Sequence, residues 1–124
     1  MVLDDPTLLA LGYGNHATSS LIVRGHRNPE LRLLVPTLCV MEADRKREGV
    51  GVHIGSLEML HTVDLGFDGA LVVAALSRKG LALGIAHAVH TAQPAPERPD
   101  GAVIATVAPE NYEGTKVRIM DLNH

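Results

Sequence analysis

The chain alternates short apolar runs with longer stretches in which apolar residues recur at helical spacing, and this alternation sets the expected elements. Val2-Leu3 followed by Asp4 reads as a short strand. Asp5-Pro6 supplies cap and first-turn residues for a helix through about Leu11, which Gly12 and Gly14 end. Asn15 caps a second helix from Ala17 to about His26, and Asn28-Pro29 breaks it. Arg32 to Met41 is nearly continuously apolar with Pro36 inside it, which suits a buried strand with a kinked or edge-like entry. From Met41 to about Glu48 the composition is helical, and Gly49 stops it.

The second half repeats the alternation. Gly49 to Gly55 carries three glycines, at 49, 51 and 55, but no Gly-Lys-Ser/Thr, so a phosphate-cradling loop is a poor reading. Ser56 to Leu60 reads as a short helix and His61 to Leu65 as a third strand, apolar and β-branched enough to be buried. Phe67 to about Lys79 is a helix apolar on most faces, which therefore needs covering on more than one side. A further helix, Gly84 to Ala92, places Ile85, Ala88, Val89 and Ala92 on one face and His87, His90 and Thr91 on another. Prolines 94, 96 and 99 mark a surface loop before the strand Ala102 to Thr106, and Lys116 to Leu122 is a last strand at the sheet edge. Strands alternating with helices imply one domain, residues 1–124, of three-layer α/β/α class with a mainly parallel central sheet.

Composition narrows the function classes. Hydrophobic residues make up 46% of the chain but aromatics only 2%, so the core is built from Leu, Val, Ile and Ala. The formal net charge of −3 lacks the electrostatic footprint of a protein that grips long nucleic acid by its phosphates, while leaving room for a short RNA contact. Cys39, the single cysteine, sits inside an apolar run and reads as a buried, reduced thiol. No apolar run approaches the roughly 18 residues that span a bilayer. A soluble, cytoplasmic protein is the expectation.

Strand ends carry the candidate chemistry. In a parallel sheet every carboxyl end lies on one rim, and ligands bind in the crevice there. Asp4 and Glu42 both follow apolar runs, so they are expected to converge on that rim. Two carboxylates in one cleft repel unless a proton or a divalent cation relieves them, and such a cation polarises a phosphodiester and generates hydroxide from bound water. The Asp5-Pro6 pair already serves as a cap, which leaves Asp4 free to line the cleft; Glu42 has a competing role as a surface partner of Arg45, one turn later. His87 and His90, three apart on a helix, either share a metal site or hydrogen-bond as neutral side chains. Arg45-Lys46-Arg47 is a solvated face or a phosphate contact beside the cleft. Neither Tyr13 nor Tyr112 stands among basic residues as a stacking platform requires.

In order and spacing, Val2-Leu3-Asp4 with Leu8-Leu9-Ala10-Leu11, Val35-Pro36-Thr37-Leu38 with Met41-Glu42-Ala43, Ala86-His87-Ala88-Val89-His90, Ala102 to Thr106, and Pro109 to Gly114 leading to Val117-Arg118-Ile119 resemble the PIN-like domains, which include the VapC-like toxin ribonucleases. The resemblance implies a Mg²⁺ or Mn²⁺ site of three or four acids, hydrolysis of RNA, a small antitoxin-like partner and a homodimer. Asp4 matches the family's first acid, Glu42 its second and Thr106 its threonine. His87 stands near where the third acid is expected, and Ala108 where the fourth is expected. The resemblance thus assigns Asp4, Glu42 and His87 as catalytic and metal-binding residues, with Zn²⁺, Ni²⁺ or another transition metal as the alternative if His87 ligates. A PIN-like module that has lost catalysis and serves for binding or dimerisation is the second expectation.

Overall fold

The computed structural model describes residues 1–123. Five parallel strands form one sheet in the order β3-β2-β1-β4-β5, where β1 is Val2–Leu3, β2 Leu33–Pro36, β3 Leu60–Val63, β4 Ile104–Thr106 and β5 Ile119–Asp121. Val2 pairs with Leu34 on one side and with Ile104 on the other, which puts β1 at the centre. All-parallel sheets need helical crossovers that cover their faces. Six α-helices supply them in a three-layer α/β/α arrangement: α1 (Asp5–Gly12), α2 (His16–Arg27), α3 (Thr37–Lys46), α4 (Val50–Gly55), α5 (Phe67–Arg78) and α6 (Leu83–Ala92).

The chain builds outward from β1 through β2 to β3, then crosses back to add β4 and β5 on the other side. The reversal falls between β1 and β4. In doubly wound sheets a ligand crevice opens at such a switch point, outside the strands' carboxyl ends. Leu3, Leu33, Val35, Ile104 and Ala105 are fully buried in the sheet, and Leu8, Leu21, Ile54 and Ala88 close over it from the helices. Cys39 lies in this core as a free thiol, as its apolar surroundings imply.

Several elements depart from the sequence expectation. The apolar stretch after Arg32 is not one long strand: β2 ends at Pro36, and Thr37 already begins α3, so Glu42 sits in mid-helix instead of at a strand end. A continuous apolar run cannot by itself tell a buried strand from a buried helix, and here it spans both. The glycine-rich segment coils into α4, whereas Ser56 to Met59 forms no helix. β3 starts one residue early at Leu60 and lies at the sheet edge with His61 and Thr62 exposed, because no strand follows it outward. Helix α5 is the largest departure. Only Val73 is buried, while Phe67 and Leu71 are 79% and 58% exposed. Its main helix neighbour is α6, and Leu76 is the α5 residue, with Val73, that turns toward the core. By contrast α6 is buried from Gly84 to Val89 on both of its faces. The proline loop returns tightly to its end: Gly101, at φ +71°, lies where a Cβ would strike the Ala92 carbonyl oxygen, and Ala102 N donates to that same oxygen at 2.9 Å. No helix among the described residues is long and apolar enough to cross a membrane.

Candidate functional site

Asp4 leaves β1 at the switch point and is completely buried. It is the N-cap of α1, a role the sequence assigned to Asp5, because its extended backbone (φ −90°, ψ 176°) aims the carboxylate back at the first helical turn. Its Oδ1 accepts from Thr7 N at 3.2 Å and Thr7 Oγ1 at 2.6 Å. Its Oδ2 accepts from Thr106 Oγ1 at 2.7 Å and from Tyr112 OH at 2.6 Å. A carboxylate offers about four lone-pair positions, so four donors fill it. The network ties β1, α1, the end of β4 and the 3-10 turn Pro109–Tyr112 into one knot across the switch point. Thr106 Oγ1 also accepts from Ala108 N at 2.9 Å, and Thr7 Oγ1 accepts from Val107 N at 3.2 Å. Burial, with Asp4 beside it, pushes the Tyr112 phenol far above its ordinary range and holds it as a donor.

Asp5, the next residue, is the side chain sequence reasoning missed. It is 6% exposed, and its buried Oδ1 has no hydrogen-bond partner, while Oδ2 lies 3.8 Å from Lys46 Nζ. Desolvation raises its pKa, with Asp4 and Glu42 adding like charge and Lys46 opposing. The α6 position that faces it is Gly84. A Cβ there would stand 2.6 Å from Asp5 Oδ1 and 3.6 Å from Glu42 Cγ. Cys39, whose thiol is held protonated by burial, donates to the Gly84 carbonyl at 3.1 Å and completes the floor. The cleft between α1, α3 and α6 therefore holds Asp5 and Glu42, with a bare glycine opposite.

Glu42 takes the surface role that its spacing to Arg45 allowed. Arg45 Nη2 donates to it at 2.8 Å and Nε at 3.4 Å, and this bond holds its pKa below the usual carboxylate range. His87 points elsewhere. Pro36, the N-cap residue of α3, provides no side-chain acceptor, and His87 Nδ1 reaches across from α6 to accept from Leu38 N at 3.3 Å. Its Nε2 is buried without a partner, and its charged neighbours are His90 and Asp64, not the cleft acids. Desolvation first, then His90, lowers its pKa to about 4. A cation there would also face the positive end of the α3 dipole. His87 is thus the neutral hydrogen-bonding side chain of its two alternatives.

As a donor set for Mg²⁺ or Mn²⁺, Asp4, Glu42 and His87 fit poorly: the first has its lone pairs filled, the second is engaged by a guanidinium, and the Nδ1 lone pair of the third is taken by Leu38 N. Among the described residues no three His, Cys, Asp or Glu side chains gather as a metal-holding group. No protein-family model, curated protein or solved structure matches the chain.

The unpartnered oxygen of Asp5 has a measurable cost. Asp5→Asn removes the buried charge and should stabilise the protein by about 1 kcal/mol at pH 7. Because the folded-state pKa is raised, the ionisation penalty is absent below the unfolded value, grows as pH rises between the two values and is complete above the raised one. The gain should therefore vanish near pH 3, where both proteins carry a neutral side chain. Urea titrations at the two pH values test this, and an Asn variant that is less stable at pH 7 would show that the Lys46 contact outweighs the desolvation.

Proposed function

We propose that the chain is a PIN-like domain related to the divalent-metal-dependent, toxin-type ribonucleases in which cleavage has been lost and the scaffold is kept as a binding module. The family reading is supported by the parallel β3-β2-β1-β4-β5 sheet and by the Asp4–Thr106 contact at its switch point, which joins two residues that the resemblance matches separately. The loss of cleavage rests on one observation, the four donors that occupy Asp4. An acid meant for a cation keeps lone pairs facing the cleft; this one turns all of them inward. Gly84 opposite Asp5 and Glu42 works in the same direction, because it offers no side chain to a cation between them.

The test is direct. Purified protein, incubated with single-stranded RNA and Mn²⁺ or Mg²⁺, should cleave no faster than its own Glu42→Gln variant. Metal-dependent cleavage that Glu42→Gln or Asp5→Asn abolishes would overturn the reading and restore the nuclease.

A further inference from the structure

The rim of the acid cleft carries an arrangement that the sequence hid. Tyr13, at the C-terminal cap of α1, is 72% exposed, and the Arg47 guanidinium lies over its ring at 4.3 Å from the centroid. Arg47 is itself fixed, since Nη1 donates to the Gly12 carbonyl at 3.1 Å. The stack is therefore held in place from outside the ring, with most of the phenol left in solvent. Beside it opens a groove of about 300 Å³ lined by Gly12, Arg47, Gly49, Val50, His53 and Glu48. The last turn of α3 joins this rim to the cleft, because Lys46 approaches Asp5 while the next residue covers Tyr13.

We propose that Tyr13 and Arg47 form a stacking subsite for one unpaired nucleobase of a short single-stranded nucleic acid, with Lys46 and Arg47 meeting its phosphates. An exposed aromatic ring with one face buttressed by a guanidinium offers the other surface to a base, and every base has a face to stack. Structural tethering alone explains Arg47 on Gly12 but leaves a large phenol in water, on a chain whose other tyrosine is buried. Eight residues of helix separate Asp5 from Tyr13, about 12 Å of rise, so a strand of a few nucleotides covers both. Glu48 and the net charge of −3 limit the phosphate attraction, which places the selectivity on the base. The proposal rests on the binding-module reading above and names what is bound.

The experiment measures fluorescence anisotropy of labelled oligoadenylate, as RNA and as DNA, against the same backbone without bases. Tyr13→Leu should weaken binding at least about tenfold, Tyr13→Phe should bind like the parent, and the abasic strand should bind as weakly as the Leu variant does the intact one. Thermal melting of each variant confirms that the fold persists, and the tighter of the RNA and DNA arms identifies the sugar. Equal binding by Tyr13→Leu, equal binding of the abasic strand, or no binding at all overturns the subsite. Cleavage is read separately on the same samples: a strand that is stacked and cut overturns the non-cleaving reading and leaves the subsite standing, whereas one neither stacked nor cut does the reverse.

Discussion

Asp4→Ala should lower stability by about 4 kcal/mol and the melting temperature by about 15 °C. The residue is completely buried and terminates four donors. Its removal strips the N-cap of α1, worth about 1 kcal/mol, and leaves Thr7, Thr106 and Tyr112 with buried groups that each cost about 1–3 kcal/mol if unpaired. The sum exceeds the expected loss because hydroxyls rotate to other acceptors; Thr7 Oγ1 already stands 3.4 Å from the Ala105 carbonyl. Asp4→Asn should fall less, by about 2 kcal/mol, since its carbonyl keeps both Thr7 bonds while its amide turns the two remaining hydroxyls into acceptors. Thermal unfolding followed by circular dichroism reads both. An Ala variant melting within a few degrees of the parent would mean that Asp4 is not the knot of the switch point, and the case for lost catalysis would go with it.

The second large effect is a loss of stability in acid traceable to His87. Its folded-state pKa of about 4 lies below the ordinary 6.5, so at pH 7 the ring is neutral in both states. As pH falls from 6.5 toward 4, the unfolded chain takes up a proton that the buried site refuses. The native state then loses about 3 kcal/mol by pH 4 from this ring alone. His87→Asn keeps an acceptor for Leu38 N but cannot titrate. It should be less stable than the parent at pH 7, where the lost ring leaves a cavity, and should show a shallower decline between pH 7 and pH 4. Urea denaturation at several pH values gives the two slopes. Parallel declines would place the acid sensitivity in other groups and remove the proposed capping of α3 by a neutral imidazole.

Glu42 and Asp5 show where sequence reasoning reached and where it stopped. The i, i+3 spacing of Glu42 and Arg45 is local, and the ion pair it allows is formed. The choice between Asp4 and Asp5 as helix cap was not local. Asp4 precedes the first turn and Asp5 opens it, and the direction of the extended backbone at Asp4 decides which carboxylate faces Thr7 N. Tyr13 is a similar case, because the basic residue stacked on it comes from position 47, the end of another helix.

What the chain's own order of residues determined was the class of architecture. Apolar runs of strand length, separated by helical stretches and punctuated by Gly and Pro, require a parallel sheet with crossovers, and the Asn15 cap and the stop at Gly80 work through neighbours a few residues away. Tertiary structure alone decided the functional geometry. Thr106 and Tyr112 reach Asp4 from more than a hundred residues away, Gly84 faces Asp5 across two helices, and His87 turns to α3 because a proline left that helix uncapped. A carboxylate's role depends on which donors fill its lone pairs, and in a parallel fold those donors come from strands distant along the chain.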